Sequence, residues 1–212
     1  MGQQKTSAPK NWPESIVYLT TPAYSPRLTK AQLQAIRIKD ANLPEIPRDL
    51  KPGPCPLVKI TPISDSQHPA YGQAGLCATR ALPPGSLIMP YLGELHPSSA
   101  SSHSQSDYDL WLSRTADVAV DAARMGNEAR FVNDYRGVPG QSRPNAEFRE
   151  VWDARRGEMT MAVFVLPAGK KVTAKGGSGG AGIAKGEEIL VSYGKGFWEK
   201  RKEEDVTTSN DA

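Results

Sequence analysis

Four short segments concentrate the residues whose types can do chemistry. They are Tyr71-Gly-Gln-Ala-Gly-Leu-Cys-Ala-Thr79, Tyr91-Leu-Gly-Glu94, Gly126-Asn-Glu-Ala-Arg-Phe-Val-Asn-Asp-Tyr135 and Gly186-Glu-Glu-Ile-Leu-Val-Ser-Tyr-Gly194, the last followed by Phe197-Trp198. Metal binding fits none of them. Cys55 and Cys77 cannot build a four-cysteine zinc site or a disulfide framework, and His68, His96 and His103 do not fall at ligand spacing. The tract Gly177-Ser-Gly-Gly-Ala-Gly182 satisfies a dinucleotide pattern, and Gly176-Gly-Ser-Gly-Gly180 a nucleophile-elbow pattern, but any Gly/Ser run matches both. Each needs a helix after the turn, whereas this chain continues into the strand-like Ile189 to Tyr193, so the tract reads as a flexible loop.

In this order and spacing the segments resemble the SET-domain protein-lysine methyltransferases, over about residues 57 to 199. The resemblance implies S-adenosylmethionine as cofactor and a lysine-bearing protein or peptide as substrate, with histone tails the favoured class and the nucleus favoured over the cytoplasm. Methyl transfer from a sulfonium is an in-line displacement, so such a site works chiefly by positioning donor and amine. The nucleophile must be a neutral amine, and the nearby positive sulfonium lowers a lysine's pKa by like-charge repulsion. A narrow aromatic channel excludes water, and its π-faces tolerate cations.

By the same resemblance Tyr193 lies at the reaction centre and Tyr91 is a channel tyrosine. The turn Ala74-Gly75-Leu76 lets the backbone approach the donor's methionine part, a role that favours glycine. Arg130, Phe131, Asn133 and Asp134 match the family's Arg-Phe-x-Asn-His stretch, whose asparagine and its neighbour bind the donor, and Asn133 offers both a hydrogen-bond donor and an acceptor. Trp198 either stacks on adenine or packs as a plain hydrophobic residue. No metal is implied.

Several positions depart from the pattern. Gln73 stands for the first glycine of Gly-x-Gly, with Gly72 one place earlier. Asp134 replaces a histidine, Tyr135 a serine and Met125 a common tyrosine. Val191 stands where family members hold Phe or Tyr, and its small size implies capacity beyond monomethylation. These departures keep open a rival of a different class, a catalytically silent SET-like protein-binding module.

The elements that must position these residues read as mostly β. Short runs punctuated by Gly and Pro fall at 57–61, 76–80, 87–92, 118–121, 147–152, 160–166 and 189–193. The segment 107–114 is undecided between a helical turn and irregular chain, and the Ser-rich 98–106 reads as a mobile loop. Residues 1–56 form a Pro-rich segment with one helix, announced by the capping box of Thr29 and Gln32. Residues 57–199 form the SET domain with a Gly-rich insert at 170–182, and 200–212 a polar tail without the cysteines of a zinc-binding post-SET module. The expected fold is several small sheets with a pseudoknot-like crossing that joins the chain near 133 and 193.

Across the whole chain of 212 residues, 38% are hydrophobic and 23% charged, enough apolar material for one ordinary core. The net charge of +3 does not by itself point to nucleic acid, and no direct nucleic-acid site is evident. The longest apolar run, Met161 to Leu166, is far short of the roughly 20 residues of a membrane span. The start lacks an apolar stretch for secretion, so the default expectation is intracellular, with a weak N-myristoylation pattern at Gly2.

Overall fold

The computed structural model describes residues 7–100, 106–168 and 182–194. The myristoylation pattern at Gly2, most of the Gly-rich insert, Trp198 and the polar tail lie outside these residues.

The fold is mostly β. In chain order the elements are β1 (Val17–Tyr18), β2 (Ala23–Tyr24), helix α1 (Lys30–Ala35), β3 (Glu45–Ile46), β4 (Val58–Pro62), β5 (Ala74–Ala78), β6 (Leu87–Tyr91) and β7 (Glu94–His96). There follow β8 (Asp109–Ser113), β9 (Val118–Asp121), β10 (Met125–Gly126), a 3₁₀ turn (Glu128–Phe131), β11 (Asn133–Asp134), β12 (Ala146–Asp153), β13 (Glu158–Val165) and β14 (Leu190–Val191). They make two four-stranded sheets, β3-β12-β13-β6 and β2-β7-β9-β8, and three two-stranded pairs, β4-β5, β1-β10 and β11-β14.

Burial explains why these runs are strands. β13 sits between β12 and β6, and its residues Thr160 to Val165 are all buried, so the run is continuously apolar rather than alternating. Its partner β12 is only part-buried from Glu147 to Arg149 and carries charges there. The main core joins Leu76, Ile88, Leu112, Val118, Val163, Ile183, Ile189 and Val191, and a satellite cluster joins Ile46, Val151, Ala162 and Phe164. The segment 107–114, which local pattern leaves undecided, is β8. It pairs with β9 and buries Leu112 completely.

The chain N-terminal to residue 57 is woven into the same sheets. β1 pairs with β10, β2 extends β7, and β3 extends β12. Helix α1 begins at the capping box: Thr29 accepts from the Gln32 backbone N–H, and the Gln32 side chain accepts from the Thr29 N–H. Ile36 at its C-terminus is fully buried, and its carbonyl accepts from Met159 N–H at 2.7 Å. Among the described residues no helix is long and apolar enough to cross a membrane.

Candidate functional site

Two stretches more than 50 residues apart meet side by side. β11 and β14 pair in parallel, Asn133 opposite Leu190 and Asp134 opposite Val191. Tyr135 N–H extends the pairing by donating to the Val191 carbonyl at 3.0 Å. This is the contact that a crossing near residues 133 and 193 requires.

Beside the pair opens a cleft of about 530 Å³, lined among others by Ala74, Arg130, Phe131, Asn133, Asp134 and Tyr193. Its volume falls within the range of small-molecule sites, about 300–1,000 Å³. The tight turn before Ala74 is taken by Gly72, whose φ of +79° lies in the left-handed region, so the displaced glycine serves where Gln73 could not easily do so.

Tyr193 is held at three points. Its hydroxyl donates to the Val132 carbonyl at 2.7 Å, its N–H donates to Asp134 Oδ2 at 2.7 Å, and its ring packs against the main core. Burial pushes its phenol well above the ordinary range, and the negative charge of Asp134, Asp107 and Glu188 and the nearby Tyr108 push the same way. The hydroxyl therefore stays protonated at any working pH. Asp134 is balanced by Arg136 Nη1 at 2.8 Å, and its Oδ1 accepts from the Arg136 N–H. The aspartate in place of the family's histidine thus braces the backbone of Tyr193.

Arg130 is a clamp rather than a free cation. Its Nε donates to the Ala122 carbonyl at 2.9 Å, and its guanidinium lies 4.3 Å from the Tyr108 ring centroid and 5.0 Å from that of Phe131. Tyr91 does not line the cleft. It is 3% exposed, donates to the Tyr108 carbonyl at 2.7 Å and sits edge-on to Phe148. Burial, with Tyr193 close by, raises its phenol well above the ordinary range.

The glycine turn is used differently along its length. Ala74 faces the cleft, whereas Leu76 is fully buried in the core, its carbonyl accepting from Ile189 N–H at 2.7 Å. A Cβ on Gly75 would run into the Glu188 carboxylate, so the space over this glycine is filled by a side chain of the chain itself. Val191 is fully buried in the main core.

Residues that spacing alone did not single out complete the site. Glu188 lies inside the quoted Gly186–Gly194 segment, but nothing local distinguishes it from Glu187. Its Oε1 accepts from Asn133 Nδ2 at 2.9 Å, and its Oε2 lies 3.1 Å from His68 Nε2. His68, Tyr108 and Asp107 all line the cleft, and only folding brings them there. Asn145 carries no motif at all, yet it clamps β14: its Nδ2 donates to the Glu188 carbonyl at 2.8 Å, and its Oδ1 accepts from Leu190 N–H at 2.8 Å.

Residues 73–171 match the family model of the SET domain. The match covers just under half of the chain. A search of the curated proteins found no match. Similar solved structures include an active polycomb repressive complex 2 in the basal state, at 23% identity and a TM-score of 0.47, covering 65% of this chain and 15% of that chain. Another is the polycomb repressive complex 2 of Chaetomium thermophilum, at 21% identity and a TM-score of 0.43, covering 62% of this chain and 15% of that chain. A third is ctPRC2 in an autoinhibited conformation bound to S-adenosylmethionine, at 21% identity and a TM-score of 0.45, covering 70% of this chain and 17% of that chain. The chain thus spans about a sixth of the length of the solved chains it matches.

Proposed function

We propose that this chain is a SET-domain, S-adenosylmethionine-dependent protein-lysine N-methyltransferase, acting on histone lysines in the nucleus. The observation that supports the reading is the pairing of β11 with β14, which gives Asn133 and Tyr193 a common cleft. The cleft suits the donor in size and in chemistry. Aromatic and proline surfaces from Tyr108, Phe131, Pro62 and Pro69 can take an adenosine, and the Tyr108 and Phe131 π-faces tolerate a cation.

When bound, the donor supplies an electrophilic methyl group on a sulfonium. In this reading the chain's own residues do the rest. Ala74 and Asn133 hold the amino-acid end, and Phe131 and Arg130 form the wall beside it. The Tyr193 hydroxyl spends its proton on the Val132 carbonyl, which leaves its oxygen lone pairs to orient an incoming amine. Tyr91 fixes the Tyr108 carbonyl behind that ring. With the donor held there, transfer would make the new N–C bond of the lysine as the S–C bond is lost, and the amine proton would leave to water. No side chain needs to become charged for this, in keeping with the raised Tyr193 phenol.

The test is transfer of labelled methyl from the donor to a panel of histones and cell extract, comparing wild type with Tyr193→Phe. Transfer should fall about 100-fold in the variant, the scale of a lost positioning contact, while donor affinity by calorimetry stays within about threefold. Donor binding by wild type without any transfer would instead identify a catalytically silent SET-like binding module. Absence of donor binding would remove the cofactor reading.

A further inference from the structure

Asn133 has one side-chain carbonyl and one amide, and which of them faces the cleft decides what the cleft can recognise. Both groups that approach Asn133 Nδ2 are acceptors: the Ala74 carbonyl at 3.3 Å and Glu188 Oε1 at 2.9 Å. The NH₂ must therefore point at them. Among the described residues nothing donates to Asn133 Oδ1, and Asn133 lines the cleft, so the carbonyl oxygen is the group left for a ligand.

Glu188 is in turn fixed from its other side. Ala70 N–H donates to His68 Nδ1 at 3.0 Å, which means that nitrogen carries no proton and Nε2 does. His68 Nε2–H then donates to Glu188 Oε2 at 3.1 Å. His68 is buried, 7% exposed, so in the chain His68–Glu188–Asn133 both outer members donate to the central carboxylate, without an alternative arrangement. Glu188 itself is not among the residues lining the cleft, and among the described residues no lysine or arginine pairs with it. The space it needs is kept open by Gly75, where any Cβ would strike the carboxylate.

We propose that Glu188, braced by His68, is a positioning residue that holds the Asn133 carbonyl oxygen toward the cleft, so that this end selects a ligand bearing an ammonium over one bearing only a carboxylate. The proposal rests on the reading that the methyl donor binds in this cleft, and it assigns the donor's α-ammonium to Asn133. A carboxylate at position 188 accepts from both neighbours. A glutamine there can offer its single oxygen to His68 or to Asn133 but not to both. With its oxygen toward His68 and its NH₂ toward Asn133, it would turn the Asn133 amide over and present a hydrogen-bond donor to the cleft instead.

The experiment is calorimetry on the full chain with two probes, S-adenosylhomocysteine and its deaminated counterpart, which keeps the carboxylate. Wild type should prefer the amino-bearing probe by about 30-fold, the scale of a charge-assisted hydrogen bond. Glu188→Gln should shrink the preference to about threefold or less, almost wholly by weakening the amino-bearing probe. In an Asn133→Ala background the same change should do nothing further, because the effect passes through Asn133. His68→Leu should reproduce part of the loss and His68→Gln, whose amide can donate to Glu188, should restore it. This pair carries the test if thermal melts show that Glu188→Gln does not fold. Equal weakening of both probes, or a preference unchanged by Glu188→Gln, would overturn the proposal while leaving the cofactor site standing. Failure of wild type to bind either probe would overturn both.

Discussion

At the scale of single residues, the site depends on close contacts that tolerate no extra atom. Gly75 needs no unusual backbone angle, but its missing side chain is the space into which the Glu188 carboxylate reaches. Gly75→Ala must displace Glu188 or β5, and overpacking of this kind costs about 1–3 kcal/mol. The expected outcome is a lower urea midpoint together with at least tenfold weaker donor binding, measured on the same samples. A variant as stable as wild type and binding normally would show that Glu188 moves aside freely. Tyr193 presents the opposite case: its position is set by groups outside its own ring, the Val132 carbonyl and the Asp134 carboxylate. Asp134 was legible in the sequence only as a departure from the family's pattern, and its carboxylate turns out to hold the backbone next to the tyrosine.

At the scale of elements, β14 has only two residues and cannot hold itself in place through β11 alone. Asn145 supplies the missing edge, its side chain contacting the Glu188 carbonyl and Leu190 N–H as a neighbouring strand would, and its backbone N–H donating to the Leu190 carbonyl at 3.0 Å. Asn145→Ala leaves the N–H of a 1% exposed Leu190 without a partner, at a cost of about 1–3 kcal/mol. Faster amide exchange at Leu190 and weaker donor binding are the expected readouts. Unchanged exchange there would mean that β11 suffices. Helix α1, by contrast, was readable in advance because a capping box is a purely local device.

At the scale of the whole molecule, the N-terminal chain acts as a strap. Trp12 meets Phe131 and Tyr18 edge-on at 5.7 and 5.0 Å, Asn11 Nδ2 donates to the Ile60 carbonyl, and Asn11 and Pro13 line the cleft. Global stability also carries a pH signature from His96, the last residue of β7, which is 1% exposed. Its Nδ1 lies 3.0 Å from the Pro97 carbonyl and its Nε2 3.0 Å from Asp109 Oδ1, so both nitrogens face acceptors, and the charged imidazolium alone satisfies both. Burial opposes that charge, but the hydrogen bonds to Asp109 and Pro97 and the charges of Asp109 and Asp121 outweigh it and raise the pKa. A histidine raised in the folded state contributes stability that is complete below its unfolded pKa of about 6.5 and is lost as pH climbs through the folded value. Denaturation midpoints should therefore fall in wild type as the pH rises above about 6.5, and His96→Gln should flatten that part of the profile. An equal slope in the variant would remove His96 as its source.

The sequence by itself determined what depends on neighbours along the chain. Apolar runs marked β4, β6, β9, β12 and β13 to within about two residues, the Thr29 box marked α1, and the ordered segments ending at Asn133 and Tyr193 marked the family. β8 stayed undecided because its character comes from pairing with β9, and the strands β1, β2 and β3 stayed hidden because two-residue strands have no period to detect. The tertiary structure alone decided that Leu76 turns to the core while Ala74 faces the cleft, that Tyr91 stands behind Tyr108, and that His68, Glu188 and Asn145 belong to the site. The reason is physical: a hydrogen bond between residues 68 and 188, or 145 and 190, is set by where the backbone carries them, and side-chain direction at one position leaves no trace in the spacing of residues around it.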